Sequence, residues 1–292
     1  MNDRENMVDS YTMKDLGWDK VPFDIVDKRV TDLMSLKGKK AIVTGAGGVG
    51  LGIAISNRLA GLGADVVMTD ISPKVEDAAK EVADRWHVNT YPIVCDLTKY
   101  EQVKALFAEA NEKMGRIDIL INNAFFTRYG NYPEFTEDMI VDAAYGGFIS
   151  VAYCCRCACD YMIPQKSGRI INISSASGSD AKNNAGITMY GACKSGVNGL
   201  TRGLANELAP HGIMVNAVAP GLMLHSALQE AFKHPTPENL QGRIPMVLGV
   251  RSTLCGRTSI PEEVANTVAF LCTDACSYLY GQVIHDDGGI IV

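Results

Sequence analysis

The sequence predicts an α/β protein: a doubly wound, seven-stranded parallel sheet with helices on both faces. Short β-branched runs alternate with stretches whose apolar residues recur at helical spacing, the pattern of a parallel sheet covered on both sides. No linker, repeat or shift in composition divides residues 39–292, so a single domain is the simplest organisation. Sheets of this kind bind ligands beyond the carboxyl ends of their strands, and the chemistry is therefore sought where each run stops.

Residues 1–38 are mixed and charged without a strong period, and read as an N-terminal arm with room for one short helix. The first strand is the run AIVT at 41–44, which ends in glycines; a helix follows over 52–62. The second strand, 64–70, stops at Asp70, and the third, 91–96, at Asp96. A helix that carries Val103, Leu106, Phe107 and Ala110 on one face precedes the fourth strand at 117–124. The fifth run, 169–175, closes on Ser175, the sixth, 213–221, on Pro220-Gly221, and the seventh, 281–289, on Asp287-Gly288-Gly289. Residues 222–255 form a long loop placed to act as a lid that excludes water.

Composition removes several function classes. With 47% hydrophobic and 21% charged residues the chain has enough apolar material for a packed core, which excludes disorder. A net charge of −6 without a basic run argues against nucleic acid. No apolar run is long enough to span a bilayer, and the opening MNDRENMVDSYTMKD is too polar for a secretory signal. Nine cysteines, an odd number, fit a reducing compartment, so a cytoplasmic protein is expected. Four of them crowd into CCRCAC, at Cys154, Cys155, Cys157 and Cys159; on one helix they point in different directions and lack a second ligand pair, so they read as core packing rather than as a metal site.

The glycine loop carries the first chemistry. Strand one runs into Thr44-Gly45-Ala46-Gly47-Gly48-Val49-Gly50-Leu51-Gly52 and then a helix. Glycines let backbone approach phosphate oxygens, and a helix N-terminus offers free N–H groups and partial positive charge. Asp70, at the end of strand two, can accept hydrogen bonds from the adenosine ribose of NAD and would repel the 2′-phosphate of NADP. No Arg or Lys lies in the loop or at Ile71 to attract that phosphate, so the expected cofactor of this Rossmann-type arrangement is NAD.

These motifs resemble the short-chain dehydrogenase/reductase family over about residues 36–292. The loop is similar to TGxxxGxG, with Thr44, Gly45, Gly50 and Gly52 in the matching roles and one extra residue between the first two glycines. Asp96-Leu97 matches the pair that in this family contacts adenine. Asn122-Asn123-Ala124 matches the NNAG segment, with Phe125 in place of its glycine. Pro220-Gly221 matches the turn beside the nicotinamide, and Asp287-Gly288-Gly289 the C-terminal DGG. Leu51 and Met223 complete the cofactor contacts that the resemblance implies.

The resemblance places catalysis on Ser175, Tyr190 and Lys194. Tyr190-Gly191-Ala192-Cys193-Lys194 puts phenol and amine on one helix face. Tyr100–Lys104 has the same spacing but follows strand three, away from the expected nicotinamide end. An alcohol must lose a proton as its hydride leaves, and a phenol of ordinary pKa near 10 is too weak a base at neutral pH. A nearby Lys194 ammonium and a positive nicotinamide are expected to lower it, while Ser175 holds the substrate oxygen. Ser175 lies 15 residues before Tyr190, two more than is usual, so Ser177 is the rival; the SSASG context favours Ser175. The asparagine that the family uses to anchor a relay water falls at Gly147 or Gly146, and a water is expected in the place of its side chain.

The lid region contains His225, Lys233, His234, Arg243 and Arg251, which fit either an anionic or polyhydroxylated substrate or an ordinary solvated loop. His225 stands where the family often has the Thr that holds the carboxamide, and Ser226 is the alternative. The resemblance also implies a homotetramer or homodimer, with the cysteine-rich helix at a subunit interface. The expected function is NAD-dependent interconversion of a secondary alcohol and a ketone, with no metal; the alternative is a non-catalytic NAD-binding or scaffold protein. The intact Ser–Tyr–Lys set favours the enzyme.

Overall fold

Parallel strands flanked by helices account for nearly all of the regular structure. The computed structural model describes residues 15, 17, 20–180, 186–224 and 253–291. In chain order these hold α1 (Val30–Leu33), β1 (Lys40–Thr44), α2 (Leu51–Gly61), β2 (Asp65–Asp70), α3 (Val75–Trp86), β3 (Thr90–Val94) and α4 (Tyr100–Met114). There follow β4 (Ile119–Asn122), α5 (Glu137–Ala144), a π-helical segment (Tyr145–Ile149), α6 (Ser150–Gln165), β5 (Gly168–Ile173), α7 (Thr188–Leu208), β6 (Ile213–Pro220), α8 (Pro261–Leu271) and β7 (Val283–Asp286). The seven strands are all parallel in the order β3-β2-β1-β4-β5-β6-β7. The expected sheet is therefore the one found.

Alternation along each strand feeds two cores. Ala41 and Val43 join Val66, Met68, Ile119 and Ile121 on one face, against α2, α3 and α8. Ile42, Val67, Leu120 and Ile170 point the other way, against α4, α6 and α7. The strands are buried on both faces, which is why their sequences read as continuous apolar runs rather than alternating ones.

Several strands stop earlier than their apolar runs. The amides of Asn123 and Ala124 leave the ladder and donate to Thr44 Oγ1, at 2.9 and 3.0 Å. The last run is shortened to Val283–Asp286 because Gly281, Gly288 and Gly289 have positive φ. The chain also joins the core before residue 39. Leu36 is fully buried, its amide donates to Leu62 O at 2.8 Å, and the Met34 sulfur lies 3.5 Å from the Thr273 hydroxyl.

On α6, Cys154, Cys155 and Cys157 are buried within the subunit and Cys159 is half-buried. Burial pushes the thiols up, Cys155 to about 12, as for small apolar side chains with no thiolate role. The exposed stripe of the helix is the Arg156–Asp160 ion pair, so the cysteines themselves are not what this helix presents outward.

Candidate active site

The strand order reverses between β1 and β4, and a cleft of about 1540 Å³ opens there beyond the strand ends. Lining it are Gly45, Gly50, Leu51, Gly52, Asp70, Asp96, Leu97, Asn123, Ala124, Ser175, Tyr190, Lys194, Pro220, Gly221 and Met223, all expected to bind cofactor or substrate. Ser177 and Lys104 do not line it. Lys104 is exposed and paired with Glu101, while the Tyr100 ring packs on Tyr153, which leaves that pair no part at the catalytic end. His225, Ser226 and most of the lid, including its Lys and Arg residues, lie outside the described residues.

The glycine loop is held from both sides. Thr44 Oγ1 donates to Ile121 O and accepts the two amides from the end of β4, so the ends of β1 and β4 are stapled together. Asn123 Nδ2 donates to Thr44 O and Gly45 O, at 2.9 and 3.2 Å. Gly45 has φ +68° and a Cβ there would lie 2.7 Å from Ala124 Cα; a Cβ on Gly52 would collide with the Gly45 carbonyl. Only glycine permits this approach. Within the loop, Gly47 N donates to Asp70 Oδ2 at 2.9 Å, and Ser72 N donates to the other oxygen at 2.9 Å. Both carboxylate oxygens retain lone pairs for further donors. The open turn, free helix amides and aimed carboxylate fit a dinucleotide.

At the far end of the cleft, Ser175 caps the turn Ala176–Gly178, accepting from Ser177 N at 3.2 Å. Its hydroxyl lies near enough to the Tyr190 phenol to favour the ionised form. Lys194, one turn along α7, is 3% exposed and donates from Nζ to Ile173 O at 2.7 Å. Its charge sits 5.1 Å from the Phe125 ring centre and 5.8 Å from that of Tyr190. Burial pushes Lys194 down to about 8. Burial likewise pushes the Tyr190 phenol up, and the Ser175 hydroxyl only partly opposes this. The expected lowering of the phenol by Lys194 is thus corrected for the protein alone. The ammonium is aimed at a main-chain carbonyl, and desolvation dominates.

The C-terminal motif proves structural. Asp287 accepts from the amides of Gly289, Ile290 and Ile291, and a Cβ on Gly221 would lie 2.7 Å from Asp287 Cα. The DGG turn therefore buttresses the Pro220-Gly221 turn that walls the cleft.

Known proteins resemble this chain over most of its length. The family model described as enoyl-(acyl carrier protein) reductase matches residues 45–291. The 3-oxoacyl-[acyl-carrier-protein] reductase FabG of Thermotoga maritima is 36% identical over 262 residues, covering 89% of this chain and 100% of that protein. The chain belongs to the short-chain dehydrogenase/reductase family. A dehydrogenase/reductase of Sinorhizobium meliloti superposes with a TM-score of 0.79 at 27% identity, over 90% of this chain and 99% of that one. A Beutenbergia cavernae protein described as an NAD(P)-dependent gluconate 5-dehydrogenase, crystallised with NADP at low occupancy, superposes with a TM-score of 0.78 at 30% identity, over 88% and 98%.

One departure from this family has a structural answer that sequence reading missed. Gly147 lies in the π-helical segment, a local feature frequent at functional sites. A Cβ there would fall 2.9 Å from Cys193 Cβ and 3.1 Å from its sulfur. The space expected for a water is filled by Cys193, whose thiol donates to Ala143 O. Gly147→Asn alone therefore overpacks the site and costs about 1–3 kcal/mol in chemical denaturation. Pairing it with Cys193→Ala should recover most of that loss; equal stability of the single variant and the parent would show that the two positions do not compete.

Proposed function

We propose that this chain is an NAD(H)-dependent oxidoreductase that interconverts a secondary alcohol and a ketone, with Tyr190 exchanging the proton. The observation that carries the reading is the placing of Ser175, Tyr190 and Lys194, the last two one helical turn apart, in the same cleft as the glycine loop. Gly45, Gly50, Leu51 and Gly52 would hold the pyrophosphate, Asp70 the adenosine ribose, and Asp96 and Leu97 the adenine. Asn123, Ala124, Lys194, Pro220, Gly221 and Met223 would hold the nicotinamide half, which supplies the hydride acceptor or donor when bound. Ser175 holds the substrate oxygen through its hydroxyl. Tyr190 takes the alcohol proton in oxidation and returns it to the carbonyl oxygen in reduction. Lys194 keeps a positive charge at the foot of the phenol as the proton leaves. A homotetramer or homodimer and a cytoplasmic setting complete the reading, supported by family membership and the free thiols.

NAD rather than NADP follows from Asp70, which is fixed by two main-chain amides at the ribose end, beside the apolar Ile71. A 2′-phosphate there meets a negative charge. Asp70→Ser is expected to lower kcat/KM with NAD about 10- to 100-fold, the loss of hydrogen bonds to a charged group, and to raise that with NADP. Ketone-dependent oxidation of NADH and NADPH, followed at 340 nm with both proteins, tests cofactor choice and activity together. Bound NADH that no ketone oxidises would leave a scaffold.

A further inference from the structure

The segment after β4 differs from its family where it meets the catalytic phenol. Phe125 stands in place of the NNAG glycine, remains 45% exposed, and its ring centre lies 5.4 Å from that of Tyr190. Gly130 N donates to Gly186 O at 3.0 Å, which ties this segment to the loop that enters α7. Phe126 is exposed on the same cleft and is covered on one side by Arg128, whose guanidinium lies 4.9 Å from the ring and is paired with Asp142 at 2.8 Å.

A molecule that presents its oxygen to Ser175 and Tyr190 has the Phe125 ring as a neighbour in the cleft. Exposed aromatic faces gain by being covered with hydrocarbon, and rigid rings lose little freedom when they stack.

We propose that the substrate is a ketone or secondary alcohol with a hydrocarbon ring body, which packs on Phe125 while its oxygen meets Ser175 and Tyr190. The proposal rests on the oxidoreductase reading and names its substrate class.

The test compares 2-tetralone, cyclohexanone, butanone, 5-keto-D-gluconate and an acetoacetyl thioester as oxidants of NADH. The parent protein, Phe125→Gly and Phe125→Leu are used. For the parent, kcat/KM with 2-tetralone should exceed that with 5-keto-D-gluconate by about 100-fold. Phe125→Gly should lower the 2-tetralone value by about tenfold, mainly through KM, and the butanone value by less than about threefold, with Phe125→Leu between. Calorimetric binding of 2-tetralone without dinucleotide separates the two readings. Ring binding that Phe125→Gly abolishes, with no ketone turned over, upholds the substrate class and overturns the redox assignment. Faster turnover of the gluconate or the thioester upholds redox chemistry and overturns the substrate class, as does an absence of ring binding.

Discussion

Tyr190→Phe is expected to lower turnover about 1000-fold, the usual yield of a positioned general acid or base, while the fold is unchanged. The substitution removes one oxygen. The ring and its packing against Phe125 stay, as does the helix that carries both. A loss of that size is about 4 kcal/mol of transition-state stabilisation, far more than a neutral hydrogen bond contributes to binding. KM for NAD should therefore move by less than about fivefold. The pH profile is the sharper reading. Burial holds the phenol above its ordinary value, so alcohol oxidation, which needs the phenolate, should rise with pH from neutrality into the alkaline range. Ketone reduction, which needs the protonated phenol, should fall over that range. Both slopes should vanish in the variant; a parent-like rate, or a persisting slope, would remove Tyr190 from the chemistry.

The sheet and the glycine loop were legible because each is written locally. A strand buried on both faces must be apolar throughout, and a backbone that approaches backbone must be glycine, as Gly45 against Ala124 demands. Ser175, Tyr190 and Lys194 were legible because family order and helical spacing place them together. What stayed hidden depends on contacts between distant segments. Nothing near Gly147 in the chain announces Cys193, nor does anything near Gly47 announce the Asp70 carboxylate that its amide reaches. The same holds for Phe125: its departure from the family glycine was visible, but its contact with Tyr190 exists only in the folded chain. The upward shift of the phenol in the protein alone was hidden for a related reason. Charge proximity can be guessed from spacing, whereas desolvation depends on what covers the side chain, and Lys194 is turned toward Ile173 O.

Lys194→Met should abolish measurable turnover and yet stabilise the protein. Lys194 is 3% exposed, has Ile173 O at 2.7 Å and is held down to about 8 by burial. Measured against its ordinary value of 10.5, that shift costs the folded state about 3 kcal/mol at neutral pH, at about 1.36 kcal/mol per pH unit. Methionine fills a similar length without a charge to desolvate, but leaves the Ile173 carbonyl without its donor, a loss of about 1–2 kcal/mol. The net gain is about 1–2 kcal/mol, or roughly 2–6 °C in Tm for a domain of this size. The direction with pH follows from proton counting. Between about 8 and 10 the unfolded chain holds the lysine proton and the folded one releases it, so the parent gains stability as pH rises. Lys194→Met lacks that gain, and the difference between the two proteins should shrink across the interval. Denaturant titrations at pH 7, 8, 9 and 10 measure it. A variant less stable than the parent at pH 7 would mean that the buried ammonium is compensated by its surroundings. In that case its proximity to the rings of Phe125 and Tyr190 would be worth more than its desolvation costs.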